Sequence, residues 1–241
     1  MKPCPYQSSL YLCHMGYILN IETATTNCSV SVAKDGEMVA LKEHNTPNYS
    51  HSEQLHVFIE EVLVEADIQL HDLVAIAISK GPGSYTGLRI GVSAAKGLCF
   101  SLDIPLISIA TLKSMALQTS DGTIDYVIPL LDARRMEVYS QVFDANFNEV
   151  RETRAEIVDE NSFLNYLNKG KTLLIGSGAE KCQLLLEHSN INFNTTAFPS
   201  AKEMTKLSFE KYQNKDFEDV AYFEPYYLKD FILQTKAKKN K

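Results

Sequence analysis

The first part of the chain alternates between apolar runs and polar turns in a way that predicts three consecutive strands. Residues 17–23 read as a buried strand, and residues 28–33 alternate as in a strand with one covered face. The polar stretch 34–37 contains Asp35-Gly36, which favours a hairpin turn, and residues 38–43 return as the third strand. This pattern predicts an antiparallel edge to a sheet.

Two amphipathic helices and two further strands are predicted next. Residues 50–66 form a helix capped by Ser50 or Ser52, with its apolar positions at helical spacing. Residues 73–78 are continuously apolar, which is typical of a strand covered on both faces. A glycine-rich turn then leads into a helix over residues 87–102 and a strand over residues 104–109.

The second half repeats this order of elements without repeating the sequence. Strands are predicted at 125–131, 137–143, 153–158 and 172–175, and helices at 161–168, 179–188 and 201–212. The repeated order predicts an α/β fold of two related lobes with mixed sheets flanked by helices. We divide the chain into an N-terminal extension without a fold role (1–15), an N-terminal lobe (16–119), a C-terminal lobe (120–230) and a basic tail (231–241).

Composition and charge narrow the class of protein. Of 241 residues, 23 are basic and 30 acidic, which gives a net charge of −7 and argues against a stand-alone nucleic-acid binder. Five scattered cysteines without a C-x-x-C pair argue against a disulfide framework or a zinc site. Since no signal peptide or membrane span is recognisable, the sequence predicts a cytoplasmic protein without a membrane partner.

The segment 80–91 carries the strongest local signal for a binding site. It follows an apolar strand and opens a helix, where glycines leave backbone N–H groups available to an anion. Two alternatives remain open, a tight turn that needs glycine and a phosphate cradle, because the spacing fits neither standard phosphate motif. The residues that would contact a nucleotide or phosphate are Gly81, Gly83, Ser84 and Thr86.

Other candidate chemistry has an ordinary structural explanation beside it. The acid and two bases of residues 132–135 could serve a site, or could form an ion pair that fixes the junction between the lobes. Gly176 and Gly178 could approach a nucleotide, although a simple turn is favoured. Cys28 and Cys99 lie in apolar surroundings that indicate core packing, and no G-x-S-x-G nucleophile motif is present.

Taken together, residues 21–23, 51–53, 80–91, 132–139 and 225–228 resemble the TsaB (YeaZ) family of bacterial tRNA threonylcarbamoyladenosine biosynthesis proteins. The resemblance extends from Met15 to about Asp230 and is densest over residues 81–105. It implies the actin-like ATPase (ASKHA) fold. It also implies a non-catalytic dimerisation subunit of the complex that transfers threonylcarbamoyl to N6 of the adenosine beside the anticodon of tRNA.

The resemblance further implies partners. The TsaD-type catalytic subunit would pack against the two long helices, a second copy would use the same surface when that subunit is absent, and a TsaE-type ATPase would bind the pair. tRNA would be bound only indirectly, through the complex. From spacing alone, both helices could equally face their own sheet. The candidate partner contacts are Leu55, Phe58, Ile59, Val62, Arg89, Ile90, Ala94 and Gly97.

The family resemblance also bears on cofactors. The catalytic relative carries a metal-binding His-x-x-x-His pair after the equivalent strand, whereas residues 107–115 of this chain contain no histidine. We therefore expect no metal and no resident cofactor, with ATP or ADP bound only at low affinity or in the complex. The alternatives are a stand-alone ATPase or kinase of the actin-like fold and, less favoured, a peptidase. The lysines of the basic tail could reach tRNA phosphate or simply be solvated.

Overall fold

The computed structural model describes residues 16–46, 50–119 and 122–228, and its first sheet has five strands. They are β1 (Tyr17–Glu22), β2 (Asn27–Lys34), β3 (Glu37–Asn45), β4 (Leu73–Gly81) and β5 (Leu106–Ala110). The order across the sheet is β3-β2-β1-β4-β5. The first three strands are antiparallel neighbours, whereas β4 and β5 run parallel to β1. The sheet is therefore mixed, as expected.

The second sheet has the same construction. It consists of β6 (Tyr126–Asp132), β7 (Glu137–Asp144), β8 (Glu149–Ile157), β9 (Thr172–Ile175) and β10 (Ile191–Asn194). Its order, β10-β9-β6-β7-β8, repeats the first sheet strand for strand when counted from the first strand of each lobe. The directions also agree, with β7 antiparallel and β9 parallel to β6. This repetition confirms the predicted actin-like arrangement of two related lobes.

The helices differ in length between the lobes. The first lobe has α1 (His51–Glu65), a 3-10 turn (Leu70–Asp72), α2 (Tyr85–Leu102) and α3 (Thr111–Ala116), and later come α4 (Leu164–Leu167), α5 (Ala179–Gln183) and α6 (Met204–Gln213). The predictions of helices over 161–168 and 179–188 were too long. Phe163 has a left-handed φ of +65°, which stops any helix from entering α4 earlier. The short α3 and β10 were not predicted.

The last part of the chain returns to the first lobe. Asn27 donates through Nδ2 to the carbonyl of Pro199 at 3.0 Å, and the backbone N of Ala201 donates to Ser29 Oγ at 3.0 Å. Helix α6 then covers one face of the first sheet, while α1 and α2 cover the other. The predicted lobe of residues 120–230 thus includes a final segment that packs against the other sheet.

Beyond α6 the chain runs along the open edge of the first sheet. The backbone N of Glu218 donates to the carbonyl of Leu106 on β5 at 2.8 Å. Further on, Lys96 of α2 donates through Nζ to the carbonyls of Ala221 and Phe223, each at 3.0 Å. This segment, which runs from the end of α6 to Tyr227, is called the strap below. It covers an edge strand that would otherwise offer unpaired backbone groups.

Some predictions fall outside the described residues. These are the N-terminal extension (1–15) and the basic tail (231–241), while the lobe boundary at residues 119 and 120 stays a prediction. Among the helices of the described ranges, none is long and apolar enough to cross a membrane.

The packing of α6 on the first sheet can be tested by shortening one side chain. Met204 is fully buried among Ile18, Ile107 and other residues of that sheet. We expect Met204→Ala to lower the free energy of unfolding by about 2–5 kcal/mol because it leaves a cavity. Leu184→Ala is the control, since Leu184 is 81% exposed. Urea unfolding measures both, and a Met204→Ala change no larger than the control would contradict this packing.

Candidate functional site

Segments that are far apart in the sequence meet at the end of β1. His51, the first residue of α1, is buried, and its Nε2 lies 2.7 Å from the carbonyl of Thr25. Because a carbonyl can only accept, Nε2 carries the proton. Just before α2, the backbone N of Ser84 donates to the carbonyl of Ala24 at 2.6 Å. Residues 23–25 therefore hold the N-terminal ends of both helices, and we call them the helix seat.

Glycines allow α2 to approach the helix seat backbone to backbone. A Cβ on Gly83 would lie 2.4 Å from the carbonyl oxygen of Ala24, and one on Gly87 would lie 2.2 Å from that of Thr23. Both distances are far shorter than a van der Waals contact. The two oxygens belong to the backbone and cannot move aside as a flexible side chain could. The helix is capped by Ser84, whose Oγ accepts from the backbone N of Gly87 at 3.3 Å. Contacts within the chain thus account for these two glycines as parts of a tight turn.

The predicted phosphate contacts lie at different depths around this turn. Gly83, Ser84 and Thr86 line the cleft between the lobes. Gly81 is buried, has a left-handed φ of +104°, and leaves room for the carbonyl of Tyr226, which would lie 3.0 Å from a Cβ. Contact of these residues with a nucleotide or phosphate stays a prediction.

A buried carboxylate supports the helix seat from below. Glu22 is fully buried, and its Oε1 accepts from the backbone N of Ala24 at 2.6 Å and from Ser79 Oγ at 2.8 Å. Its Oε2 has no hydrogen-bond partner among the described residues. Desolvation raises the pKa of Glu22 to about 7, although the two donors act in the opposite direction. Sequence reasoning did not identify the role of this carboxylate in holding the turn.

The cleft between the lobes has a volume of about 740 Å³. Its first-lobe lip carries Ala24 and Thr25 of the helix seat and the start of α2, together with Tyr226 and Tyr227 of the strap. Its second-lobe lip carries Asp132, Arg134 and Ser177. Hydroxyl groups, aromatic rings and one guanidinium therefore face a space large enough for a small ligand.

The predicted ion pair at residues 132–135 has a different partner from the one expected. Asp132 Oδ1 lies 2.6 Å from Lys181 Nζ, and both residues belong to the second lobe. The same oxygen accepts from the backbone N of Arg134 at 2.6 Å. The ion pair therefore fixes the inside of the second lobe and not the junction between the lobes, which corrects that alternative.

The hairpin between β6 and β7 contains two strained residues in succession. Arg134 has a φ of +70° and Arg135 a φ of +51°. A left-handed conformation costs about 1–2 kcal/mol for a residue with a Cβ. Both arginines are exposed, and Arg134 lines the cleft.

The loop of Gly176 and Gly178 behaves as a tight turn. Gly176 has a φ of +109°, and the backbone N of Gly178 donates to the carbonyl of Leu130 at 3.0 Å. Between them, Ser177 Oγ accepts from the backbone N of Asp132 at 3.2 Å. These contacts support the favoured explanation, a turn from β9 into α5.

Three candidate partner contacts on α1 face inward. Leu55 and Val62 are fully buried and Ile59 is 5% exposed, all within the core against the first sheet. They cannot reach a partner without unpacking that core, so their assignment to a partner surface is corrected. Phe58 is half-buried beside them. The large apolar residues of this helix that face outward are instead Val57 and Val64.

The candidates on α2 are better placed for a partner. Arg89 and Gly97 are exposed, and Ile90 and Ala94 are half-buried. Sequence reasoning missed Phe100, which is 85% exposed. Helical spacing could have found it, because Phe100 lies three residues beyond Gly97 and shares its face.

Among the residues that the structure describes, thiols and metal ligands do not gather at the cleft. Burial raises the pKa of the thiols of Cys28, Cys99 and Cys182 to about 12, which is the environment of core packing. Across residues 16–46, 50–119 and 122–228, no group of three or more His, Cys, Asp or Glu side chains could hold a metal ion.

Comparison with known families identifies relatives along nearly the whole chain. Residues 46–232 match the family model described as TsaD, tRNA N6-adenosine threonylcarbamoyltransferase. The tRNA threonylcarbamoyladenosine biosynthesis protein TsaB of Haemophilus influenzae is 30% identical over 91% of this chain and 96% of its own length. The protein of the same name from Escherichia coli is 30% identical over 91% of this chain and 97% of its own length.

A solved structure shares the fold. The structure of YeaZ from Pseudomonas aeruginosa superimposes with a TM-score of 0.73 at 22% identity, covering 89% of this chain and all of that one. At this level of identity the likeness concerns the fold alone.

Neutralising Glu22 tests how the helix seat is held. The pKa of Glu22 rises from its ordinary value of 4.5 to about 7 on folding, so the folded chain binds more protons between these values. The contribution of Glu22 to stability is therefore fully present below pH 4.5 and is lost as the pH rises to 7, by an upper bound of about 3 kcal/mol. Glu22→Gln keeps an oxygen acceptor for both donors. We expect the variant to be more stable than the wild type above pH 7.

The measurement is the difference in unfolding free energy between the two proteins from pH 4.5 to 8. The difference removes the opposite contribution of His51, whose pKa is lowered by burial so that acid destabilises the fold. A difference that does not change with pH would show that Glu22 does not titrate in this window.

Proposed function

This chain belongs to the TsaB family, and on that premise we propose that it is a non-catalytic subunit that holds a TsaD-type transferase in its active conformation. Membership places the chain in the biosynthesis of tRNA threonylcarbamoyladenosine. In the proposed complex, the TsaD-type subunit transfers threonylcarbamoyl to N6 of adenosine beside the anticodon. This chain acts by binding the active state of that subunit more tightly than the inactive one.

The exposed face of α2, continued by α1, is the observation that carries the proposal. Phe100 is 85% and Val64 is 74% exposed, so each of the two long helices presents a large apolar side chain that a partner could cover. Three residues before Phe100 the surface of α2 carries no side chain, because Gly97 is exposed and a Cβ there would meet nothing within 4 Å. A glycine that its own fold does not require allows a partner helix to approach closely. We call this surface, formed by Val57, Phe58, Val64, Arg89, Ile90, Ala94, Gly97 and Phe100, the docking face.

The start of α2 supports a subunit without its own phosphate chemistry. The backbone N of Ser84 is already bonded to Ala24, and that of Gly87 to Ser84 Oγ. These N–H groups would be needed to hold phosphate at the helix N-terminus. ATP or ADP would accordingly bind at low affinity or only in the complex.

The other partners follow from the same surface. A second copy of the chain would use the docking face when the TsaD-type subunit is absent, so the two associations would compete. A TsaE-type ATPase would bind the assembled pair, and the complex would work in the cytoplasm.

A stand-alone ATPase or kinase is the second candidate, and the cleft of about 740 Å³ with Arg134 on its rim favours it. Equilibrium dialysis of the isolated chain with ATP separates the two. Tight binding by the chain alone would favour the enzyme, whereas binding that requires the TsaD-type subunit would favour the scaffold.

Two substitutions on the docking face should weaken binding of the TsaD-type subunit without harming the fold. We expect Phe100→Ala to lower the affinity at least ten-fold, since exposed aromatic residues at the centre of an interface often dominate binding. We expect Gly97→Gln to weaken binding by obstructing close approach, while a better helix former stabilises the isolated chain by up to about 1 kcal/mol.

Calorimetric titration gives the affinities, and urea unfolding of the isolated chain gives the stabilities. Leu184→Ala, at an equally exposed apolar residue of the second lobe, is the matched control and should bind normally. Unchanged affinity for both docking-face variants would rule out this surface.

The role in the pathway is tested in cells depleted of the chain. Nucleoside mass spectrometry of their tRNA should show loss of threonylcarbamoyladenosine, restored by the wild type and by Leu184→Ala but poorly by Phe100→Ala. Modification that persists after depletion would refute the pathway role. Full restoration by Phe100→Ala would refute only the scaffold mechanism.

A further inference from the structure

The hairpin between β6 and β7 carries arginines where its backbone favours other residues. The loop between β6 and β7, residues 133–136, contains two successive left-handed residues, a conformation that asparagine and glycine adopt with less strain than other residues. Arg134 and Arg135 hold it here with φ angles of +70° and +51°. Folding alone would not select arginine at either position.

Contacts within the chain do not explain these arginines either. Both are exposed, and within the described ranges neither guanidinium has an ion-pair or hydrogen-bond partner. The nearby carboxylate of Asp132 is engaged by Lys181 Nζ and by the backbone N of Arg134, each at 2.6 Å. Two unpaired positive charges therefore follow one another in an exposed loop, the first of them on a residue that lines the cleft.

The opposite lip of the cleft presents aromatic rings. Tyr226 is 44% and Tyr227 is 38% exposed. They are fixed in place, because the backbone N of Tyr226 donates to the carbonyl of Lys80 at 2.7 Å and the ring of Tyr227 lies 5.1 Å from that of Tyr85. Half-exposed rings on a fixed segment are suited to stacking with a planar ligand.

We propose that the mouth of this cleft binds a single-stranded segment of RNA, with phosphates on Arg134 and Arg135 and bases against Tyr226 and Tyr227. The inference rests on the proposed function, in which the assembled complex acts on tRNA. Guanidinium groups pair bidentately with phosphate oxygens, and aromatic side chains stack with any base. The hydroxyls of Thr25, Ser84 and Ser177 in the lining can meet ribose hydroxyls.

The two arginines also favour a strand over a single nucleotide. Arg134 lines the cleft, whereas its neighbour Arg135 is exposed and is not part of the lining. A mononucleotide inside the cleft would meet only the first, while a backbone that crosses the rim would meet both. Because the chain carries a net charge of −7, binding depends on this local site and on the assembled complex.

The test replaces both arginines by the residues that the hairpin favours. The double variant Arg134→Asn, Arg135→Gly removes the charges and relieves the backbone, so its melting temperature should not fall. We expect weaker binding of unmodified substrate tRNA to the complex of the full chain with its TsaD-type subunit. The slope of log affinity against log salt should decrease by about 1.4, from roughly 0.7 for each lost phosphate contact.

Three further variants make the result specific. The double variant Arg134→Lys, Arg135→Lys keeps the charges and should retain most of the salt dependence. The double variant Arg154→Ala, Lys206→Ala removes two exposed charges elsewhere and should bind tRNA normally. Tyr226→Leu should weaken binding about ten-fold at unchanged salt slope, since it removes stacking and no charge.

The outcomes separate this inference from the proposed function. Normal tRNA binding by the Asn-Gly variant in an intact complex would overturn the RNA site and leave the scaffold role standing. An equal loss of tRNA affinity in the Arg154–Lys206 control would show that the effect comes from net charge alone. A loss of ADP binding without a loss of tRNA binding would show that the arginines bind a nucleotide. Both of these results would overturn the inference. Failure of the wild-type chain to bind the TsaD-type subunit would count against the proposed function instead.

Discussion

The close seating of two helices on the turn after β1 is the constraint on which the rest of the first lobe depends. Backbone approaches backbone so closely that a single methyl on Gly83 or Gly87 would overlap a carbonyl of the turn. The same turn lines the interlobe cleft on its other side through Ala24 and Thr25. The helix seat therefore connects the cleft with the two helices that carry the docking face. The buried carboxylate of Glu22 holds the conformation of this seat.

That carboxylate and the arginine hairpin are the places where the chain departs from the most stable solution. Glu22 is ionisable yet fully buried, with one oxygen lacking a hydrogen-bond donor. Arg134 and Arg135 adopt a backbone that glycine or asparagine would adopt with less strain. Departures of this kind tend to cluster where a fold serves a function. Here Arg134 lines the cleft from the second lobe, and Glu22 lies beneath the turn that lines it from the first lobe.

Hydrophobic periodicity predicted the sheets well because each strand has covered and exposed faces or is buried throughout. The antiparallel strands of each lobe show alternating faces, and the apolar run of β4 is buried almost throughout. The repeated order of strands in the two lobes could be predicted from these patterns. The failures have physical causes. Strand β10 has only four residues and half-exposed apolar positions, and α4 begins after the left-handed Phe163. The prediction of partner contacts on α1 failed because periodicity identifies an apolar face of a helix but does not say which surface covers that face. Inward residues such as Leu55 carry the same pattern as outward ones.

Comparison of the two lobes gives a structural reason why the proposed docking face lies on only one of them. Their sheets are equivalent, but α1 and α2 have 15 and 18 residues, whereas α4 and α5 in the corresponding connections have four and five. A helix of four or five turns can bury one face on its sheet and still present a long second face to a partner. A helix of a single turn can do little more than close the connection. Under the two proposals, the lobes of the duplicated fold serve different functions. The long helices of the first lobe associate with a partner, and the short, charged hairpin of the second lobe binds at the cleft. The strap from α6 to Tyr227 then connects the tasks, since it crosses α2 through Lys96 and ends opposite that hairpin.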